Sequence, residues 1–375
     1  MKIGLVVDDG LDKPDGVQQF VLTLGKWLSE NGHEVHYITS STKRIDLPNL
    51  HALSKSLTVS FNGNKLRVPL PAPRSKVRNL LNNLDLDVLH VQMPYSPFLG
   101  GRVIMQAKDT HVIGTFHILP YGKIAFFGSK LLGFFQKMSL QRVNYITSTS
   151  APTKRFAESA FGISSEVIAN PVSLKSFKGT RMSVKPNDEL TIVYLGRLVE
   201  RKGVMQFLMA LNKLKTENLG INFKVKIGGK GPLLEKLEQY SLNNVLNFVE
   251  FVGFIDEKLK PDFLCQADLA VFPATSGESF GIVLIEAMAV GSCAVIGGNN
   301  PGYNSVLSPW PETIFDPNDT EGFANKLKLF LTDHKLRDSV RKSQSIAVKD
   351  YDISVIGSKF VDIYHKTLQT YKHLR

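Results

Sequence analysis

Cysteine is scarce in this chain, whose 375 residues include only Cys265 and Cys293. Two isolated thiols make neither a disulfide framework nor a metal-ligand spacing, which excludes the small secreted proteins that disulfides hold together. We expect both thiols to be buried and reduced.

Long apolar runs are missing too. No stretch reaches the roughly 18 uncharged apolar residues that a transmembrane helix needs. The first apolar run, residues 2–7, is short and is followed at once by Asp8 and Asp9, so we do not expect a signal peptide. The expectation is a protein that stays in the cytoplasm.

Signatures of nucleic-acid binding are also absent. The formal charge is +11 at pH 7, which would suit nucleic acid, anionic lipid or anionic small molecules as partners. Because no helix-turn-helix, zinc-finger or aromatic RNA-binding pattern occurs, we expect no nucleic-acid partner. No pattern indicates an obligate protein partner either.

The length suits two domains, each large enough to bury its own core. Residues 2–7 predict a buried strand, residues 17–28 a helix and residues 35–38 the next strand. This alternation, repeated in the second half, predicts α/β domains with doubly wound sheets. Since residues 169–190 lose apolar periodicity, we place one domain at 1–170, a second at 171–350 and a terminal helix at 351–375.

One polar segment, residues 39–84, is predicted to be irregular. It contains a cluster of basic residues among prolines, which is interpreted either as a solvated loop or as a contact with anionic lipid. The cluster consists of Lys65, Arg67, Arg74, Lys76 and Arg78.

Residues 277–291 predict a loop that leads into an apolar helix, with Ser279 as N-cap and Gly291 as stop. The free N–H groups of the first helical turn suit a diphosphate. Glu286 is the only charge in the helix, and a buried carboxylate needs donors such as the two hydroxyls of a ribose. Glu278 would direct a second carboxylate at a hexose. The alternative is a core-edge Glu286 with a lysine or arginine partner and a solvated Glu278.

This segment resembles the signature of the family-4 retaining glycosyltransferases, and among them the bacterial phosphatidylinositol mannosyltransferase branch. Its sequence is Gly-Glu-Ser-Phe-Gly-Ile-Val-Leu-Ile-Glu-Ala-Met-Ala. The resemblance implies the GT-B fold: two facing Rossmann-like domains, with a C-terminal helix that crosses back to the first domain. It further implies that the second domain binds a nucleotide-sugar donor and the first the acceptor. Transfer would retain the anomeric configuration without a catalytic metal or cofactor.

A second motif of this resemblance is Gly-Arg-Leu at 196–198, followed by Glu-Arg-Lys-Gly at 200–203. It matches the family's donor-phosphate loop, which assigns Arg197 and Lys202 to the diphosphate. Fixed cations suit this place because negative charge builds on the leaving diphosphate. Arg201 is expected to be solvated. The implied donor-binding residues are Gly16, Arg197, Lys202, Ile255, Glu278, Ser279, Phe280, Gly281 and Glu286.

His117 follows a predicted strand at 111–116, at the carboxyl end where open α/β sheets bind ligands. Thr-Phe-His at 115–117 matches the corresponding motif of the family, whose histidine lies beside the reacting sugar. The candidate catalytic residues are therefore His117, Glu278, Arg197 and Lys202.

The loop after the first strand resembles the family's Gly-Gly phosphate loop, but Asp15 replaces the first glycine. Because a carboxylate beside a diphosphate is unfavourable, we expect Asp15 to be a helix N-cap and carry over Gly16 alone.

Residues 123–141 predict a helix whose apolar side chains fall within an arc of roughly 100°. A lysine stripe borders that arc, as in helices that lie in a membrane interface. The alternative is an ordinary helix that faces the core. The stripe is Lys123, Lys130 and Lys137, and the arc is Ile124, Phe127, Leu131, Phe134, Phe135 and Met138. Lys123, Phe127, Lys130, Phe134 and Lys137 are the predicted membrane and acceptor residues.

A metal site is not predicted. Asp85-Leu86-Asp87 spells the metal-binding Asp-x-Asp of a different glycosyltransferase fold, but it precedes a strand, which is the wrong end for ligands in such a sheet.

The leading hypothesis is an α-mannosyltransferase that moves mannose from GDP-mannose to a phosphatidylinositol-type lipid, as a peripheral protein on the inner face of the cell membrane. A UDP-glucose-dependent diacylglycerol glucosyltransferase or a cell-envelope polysaccharide glycosyltransferase would share the donor motifs. A membrane-associated protein that binds nucleotide without turnover is the alternative of another class. Asp15 favours it, whereas the intact Glu278, Arg197, Lys202 and Glu286 argue against it.

Overall fold

The computed structural model describes residues 1–12, 15–61, 64–120, 122–177, 189–217 and 220–372, with their side chains except those of residues 56–61, 64–68, 123–125 and 370–372. The chain divides into an N-terminal unit, Met1–Pro171 with Ile353–Arg375, and a C-terminal unit, Val172–Asp352. The bounds expected from sequence were 170 and 350.

The N-terminal unit is built on a parallel sheet. Its described strands have the order β3-β2-β1-β6-β7-β8-β9, beside a two-stranded antiparallel hairpin of β4 and β5. The elements are β1 (Lys2–Val7), α1 (Gly16–Glu30), β2 (Glu34–Thr39), β3 (Leu50–Ala52), β4 (Ser56–Phe61), β5 (Asn64–Pro69), α2 (Arg74–Leu84), β6 (Val88–Gln92), α3 (Gly100–Gln106), β7 (His111–Phe116), α4 (Lys123–Leu140), β8 (Tyr145–Ser148), α5 (Ala151–Phe161) and β9 (Glu166–Val167).

The C-terminal unit repeats the plan with the strand order β12-β11-β10-β13-β14-β15, again parallel throughout its described pairs. Its elements are β10 (Leu190–Leu195), α6 (Val204–Lys215), β11 (Phe223–Gly228), α7 (Leu234–Asn243), β12 (Val249–Gly253), α8 (Lys260–Cys265), β13 (Leu269–Phe272), α9 (Ile282–Val290), β14 (Ala294–Gly298), α10 (Pro301–Leu307), β15 (Ile314–Phe315), α11 (Thr320–Thr332) and α12 (His334–Ala347).

The last helix, α13 (Ile353–Lys372), belongs to the N-terminal unit, as the resemblance implied. Phe360 and Tyr364 on it are fully buried in the core that surrounds β1 and α1. Gly357 allows the helix to approach α1 closely, because a Cβ there would lie 2.4 Å from the ring of Trp27.

The central strands are apolar because both faces of a parallel sheet are covered by helices. Ile3, Leu5 and Val6 are fully buried, as are Val193 and Val271 in the other unit. In each sheet the strand order reverses at one place, between β1 and β6 and between β10 and β13. Such switch points leave a crevice at the carboxyl ends of the strands, where α/β sheets bind ligands.

The prediction that residues 39–84 are irregular was wrong. The segment forms β3, the hairpin of β4 and β5, and α2. Helix α2 has a narrow apolar face, with Val77 and Leu81 buried one turn apart, and this weak signal explains the error. Arg74, Lys76 and Arg78 are exposed on it, whereas the side chains of Lys65 and Arg67 lie outside the described part.

Candidate active site

Two of the predicted donor residues, Lys202 and Glu278, come together at the switch point of the C-terminal sheet. β10 and β13 are hydrogen-bonded neighbours there, and each continues into a polar loop at its carboxyl end. The loop after β10 carries Arg197, Arg201 and Lys202, and the loop after β13 carries Gly277 and Glu278.

The two loops are bonded to one another. The backbone N–H of Thr275 donates to the carbonyl oxygen of Arg201 over 2.9 Å, and Nη1 of Arg201 donates to the carbonyl oxygen of Gly277 over 3.3 Å. Gly203 has φ +70°, and a Cβ there would lie 1.9 Å from the carbonyl oxygen of Pro273. Only glycine fits this position, so the close approach of the two loops depends on it.

Glu278 lies between two cations. Its Oε1 is 2.5 Å from Nη1 of Arg201 and 2.9 Å from Nζ of Lys202, and the Glu278 side chain is only 12% exposed. The interpretation of Glu278 as a solvated loop residue is therefore wrong. A carboxylate bonded to two cations is fixed in direction, which suits a group that accepts hydrogen bonds from sugar hydroxyls.

The expectation that Arg201 is solvated was also wrong. Its side chain is 35% exposed, and its guanidinium donates to both the Glu278 carboxylate and the Gly277 carbonyl. The planar guanidinium carries several donors in fixed directions, so one arginine can bond two acceptors at once. Arg201 thus holds the glutamate loop in place from the neighbouring loop.

Glu286 is 5% exposed and has a lysine partner. Nζ of Lys260 lies 3.2 and 3.4 Å from the two oxygens of Glu286 and 2.7 Å from Oε1 of Glu257. Burial alone would lower the pKa of Lys260, but the charges of Glu286 and Glu257 outweigh it and raise the pKa above its ordinary value. This is the partner that the alternative for Glu286 required.

Helix α9 begins later than predicted. Ser279 is not the N-cap; Gly281 is, with φ 110°. A Cβ at Gly281 would lie 2.7 Å from the ring of the buried Tyr303, so the chain turns into the helix on a left-handed glycine rather than through a serine cap. Phe280 is buried, edge-on to Tyr351 at 5.8 Å between ring centroids. The predicted stop at Gly291 is confirmed.

The other predicted donor residues of this unit lie on adjoining loops. The Arg197 side chain is exposed, and its carbonyl oxygen accepts a 3.0 Å hydrogen bond from the hydroxyl of the buried Tyr194. Ile255 is half-buried against Gly228, where a Cβ would lie 3.1 Å from its Cγ1. The structure therefore joins Lys202 and Glu278 directly and leaves Arg197 exposed at the loop surface.

His117 lies at the end of β7 in the N-terminal unit, as predicted, and is 4% exposed. Its Nε2 is 2.6 Å from Oε1 of Gln92, and its ring meets the ring of Phe20 edge-on at 4.8 Å. Burial lowers the pKa of His117 to about 3. At neutral pH this histidine is therefore uncharged, and its ring can take part in hydrogen bonds but carries no positive charge.

A second buried histidine, His90, lies beside it. Its Nδ1 is 2.8 Å from the hydroxyl of Tyr364 on α13, and its Nε2 is 2.6 Å from Oγ1 of Thr115. Burial, reinforced by His117, lowers the pKa of His90 to about 3. The terminal helix is thus hydrogen-bonded into the sheet that carries His117.

Gly16 is the exposed first residue of α1, and Asp15 precedes it as the N-cap. The predicted position of Asp15 is confirmed, but its side chain makes no capping hydrogen bond.

Helix α4 carries its apolar arc on the outside. Lys130 and Lys137 are exposed, and Nζ of Lys130 lies 5.2 Å from the ring centroid of Phe126. The alternative of a core-facing arc is therefore wrong for the described side chains, whereas those of Lys123 and Ile124 lie outside them. The exposed apolar residues, each between 60% and 75% accessible, are Phe127, Leu131, Phe134, Phe135 and Met138.

The sequence did not point to three residues that partner candidate site residues within the two units. Arg201 and Lys260 partner the two glutamates, and Gln92 partners His117. Arg201 belongs to the Glu-Arg-Lys-Gly motif at 200–203. The sequence around Lys260 and Gln92 does not indicate their pairing, because their partners are 26 and 25 positions away.

Neither a metal cluster nor a membrane-spanning helix is found in the described part of the chain. No cluster of three or more His, Cys, Asp or Glu there could hold a metal ion, and none of its helices is long and apolar enough to cross a membrane.

Two family descriptions match the chain. Residues 14–176 match Glycosyltransferase Family 4 and residues 179–345 match Glycosyl transferases group 1. Among similar proteins is the phosphatidyl-myo-inositol mannosyltransferase of Mycolicibacterium smegmatis, 30% identical over 97% of this chain and 93% of that protein. The alpha-monoglucosyldiacylglycerol synthase of Streptococcus pneumoniae is 24% identical over 82% of this chain and 73% of its own length.

Solved structures resemble the whole chain. The sucrose-phosphate synthase of Thermosynechococcus elongatus superposes with a TM-score of 0.78 at 19% identity, covering 98% of this chain and 99% of that one. At this identity the likeness shows the fold alone, and it confirms the GT-B expectation.

Proposed function

Since this chain belongs to the glycosyltransferases of family 4 and is itself a glycosyltransferase, we propose that it transfers mannose from GDP-mannose to a phosphatidylinositol-type lipid at the inner face of the cell membrane. The observation that carries the proposed chemistry is the placement of Glu278 between Arg201 and Lys202 at the switch point. The specific donor and acceptor are supported by similarity to phosphatidyl-myo-inositol mannosyltransferases over nearly the whole chain.

The C-terminal unit would bind the donor through fixed charges. Lys202 and Arg197 would neutralise the diphosphate, and the first turn of α9 would offer it free N–H groups. Glu286 would accept hydrogen bonds from the ribose and Glu278 from the hexose. Because Arg201 and Lys260 already orient the two carboxylates, little reorganisation would be needed when the donor binds.

The proposed reaction retains the configuration at the anomeric carbon. The bond from that carbon to the diphosphate oxygen breaks, and a bond to the acceptor hydroxyl oxygen forms on the same face. The departing phosphate takes the proton of the acceptor hydroxyl, so the enzyme supplies no covalent nucleophile. Its contribution is orientation and stabilisation of the leaving charge, and the His117 imidazole would steady the sugar through a neutral hydrogen bond.

The acceptor side of the proposal rests on α4. Its five exposed apolar side chains form a continuous apolar face, which soluble proteins seldom leave uncovered. Lys130 and Lys137 flank that face, as in helices that rest in the interface of an anionic membrane. We infer that α4 brings the protein to the cytoplasmic leaflet, where the lipid acceptor lies.

Two enzymatic alternatives share the donor site. A UDP-glucose-dependent diacylglycerol glucosyltransferase is favoured by the similarity to the streptococcal synthase, although that match is weaker and shorter. A cell-envelope polysaccharide transferase would use the same donor residues without needing the exposed face of α4. A nucleotide-binding protein without turnover would keep the donor residues and the exposed face of α4.

Calorimetric titration of the full chain with GDP and with UDP tests the choice of donor. Preference for GDP supports the mannosyltransferase, and preference for UDP replaces it with the glucosyltransferase. If either nucleotide binds but no sugar is transferred to a lipid or a polysaccharide acceptor, the protein without turnover becomes the better account.

A further inference from the structure

Gln92 and His117 form a buried pair on neighbouring strands. Gln92 ends β6 and is fully buried, and β6 pairs with β7, which leads directly into His117. The 2.6 Å contact between Oε1 of Gln92 and Nε2 of His117 is a short hydrogen bond between two neutral side chains.

The orientation of the Gln92 amide follows from its other contact. Its Nε2 lies 3.4 Å from the carbonyl oxygen of His90, to which only the amide nitrogen can donate. A flipped amide would place two oxygen acceptors against each other. Oε1 therefore faces His117, and because an amide oxygen only accepts, the proton of that bond resides on Nε2 of His117.

The other ring nitrogen is then an acceptor. Burial keeps the ring uncharged at neutral pH, as the lowered pKa of His117 shows. A neutral ring carries one N–H proton, and if that proton is on Nε2, Nδ1 has none. The Phe20 edge contact, 4.8 Å between centroids, fixes the plane of the ring. Nδ1 of His117 makes no hydrogen bond with the described residues, so its lone pair is available to a ligand.

We propose that Gln92 is a positioning residue that locks His117 in the Nε2–H tautomer, so that Nδ1 accepts a hydrogen bond from a hydroxyl of the transferred hexose. This inference rests on the proposed function for the hydroxyl, but the tautomer itself follows from the Gln92 contacts alone. In the opposite tautomer Nδ1 would donate, and the glutamine oxygen would face a bare ring nitrogen.

The test uses the full chain with ¹⁵N-labelled histidine and long-range ¹H–¹⁵N correlation spectra, with the His117 signal identified by its loss in His117→Asn. Wild-type protein is expected to show a protonated Nε2 and a bare Nδ1. Gln92→Met removes the acceptor, so the single tautomer is lost and kcat/KM falls by about 10-fold, the equivalent of one hydrogen bond. Gln92→Glu restores an acceptor and is expected to recover the Nε2–H form above neutral pH.

Thr115→Val is the matched control. It removes the 2.6 Å contact to His90 in the same buried cluster and is expected to leave the His117 spectrum unchanged. A wild-type spectrum with the proton on Nδ1, or Gln92→Met with an unaltered tautomer, would overturn the proposal. If Gln92→Met does not fold, the wild-type and Gln92→Glu spectra decide. The expected tautomer in a protein that transfers no sugar would support the positioning role and reject the proposed function instead.

Discussion

The two units hold their candidate site residues by opposite physical means. In the C-terminal unit, Glu278 and Glu286 are carboxylates fixed by cations within 2.5 to 3.4 Å. In the N-terminal unit, His90 and His117 are buried, uncharged and held by neutral hydrogen bonds. Ion pairs thus fix the direction of the candidate side chains in the C-terminal unit, whereas burial and neutral hydrogen bonds fix it in the N-terminal unit.

The contrast extends to the surface. The described apolar side chains exposed on α4 belong to the N-terminal unit, whereas the charges around Glu278 are partly enclosed between two loops. Lipid contact and donor contact would thus be assigned to separate units.

The largest effect is expected in the C-terminal unit from Lys202→Ala and from Glu278→Ala. Each should abolish measurable transfer, a fall of about 1,000-fold, because a group that stabilises the reacting charge or holds the sugar is lost. The fold should persist, since Arg201 still pairs with Glu278 in the first variant. Lys213→Ala is the control: its pair with Glu321 is 43% and 69% exposed, so its loss should change neither rate nor stability measurably. Unchanged transfer in either site variant would reject the site assignment.

The second prediction concerns the buried pair of Lys260 and Glu286. Lys260→Met leaves Glu286 without its cation and should lower the free energy of unfolding of the C-terminal unit by about 3 kcal/mol. The double variant Lys260→Met, Glu286→Gln should recover most of that loss. Trp310 lies in this unit and Trp27 in the other, and the chain has two tryptophans, so Trp27→Phe makes fluorescence report the C-terminal unit alone. Equal stability of the single and double variants would contradict the pairing.

The third prediction concerns α4. Changing Lys123, Lys130 and Lys137 together to Glu should weaken binding to anionic vesicles by roughly 100-fold, because each lysine near the surface contributes about 1 kcal/mol. Co-sedimentation with phosphatidylinositol-containing vesicles measures it, with pure phosphatidylcholine as the neutral reference.

The control for α4 changes Lys236, Lys335 and Lys349, all exposed on the C-terminal unit. It alters the net charge equally, from +11 to +5, since three reversals remove six charges. Wild-type-like binding by the α4 variant, or equal loss in both variants, would show that this helix is not the membrane contact.

The smallest effect is a pH dependence confined to the N-terminal unit. His90 and His117 have pKa values of about 3 when folded against about 6.5 when unfolded. Below pH 6.5 the unfolded chain therefore binds protons that the folded chain does not, and stability falls as the pH falls. Between pH 6.5 and 5.5 the two residues together should remove about 2 kcal/mol.

The two tryptophans separate the units in this measurement as well. Trp310→Phe leaves Trp27 to report the N-terminal unit, and Trp27→Phe leaves Trp310 to report the C-terminal unit, whose one histidine, His334, is exposed. Denaturant unfolding at both pH values should show the loss only in the first variant. An equal loss in both units would contradict the account of buried neutral histidines.

The fold was predictable from sequence, and so were the loops that carry the candidate site residues, because the order of strands and loops decides both. Apolar runs placed β1 and β7 in one unit and β10 and β13 in the other, and within each unit the parallel topology puts the carboxyl-end loops at the same edge of the sheet. The start of α9 was not predictable: Ser279 is a good cap by composition, but the packing of Gly281 against Tyr303, distant in sequence, sets the helix start. Lys260 was missed for the same reason. Periodicity could describe the arc of α4 but not which side faced solvent, since a core-facing helix shows the same spacing.

The most direct test of the central claim is transfer from radiolabelled GDP-mannose to vesicles that contain phosphatidylinositol, run beside UDP-glucose with vesicles that contain diacylglycerol. We predict label in the phosphatidylinositol fraction and none in diacylglycerol. Label from UDP-glucose in diacylglycerol, with none from GDP-mannose in either lipid, would contradict the proposed donor and acceptor together.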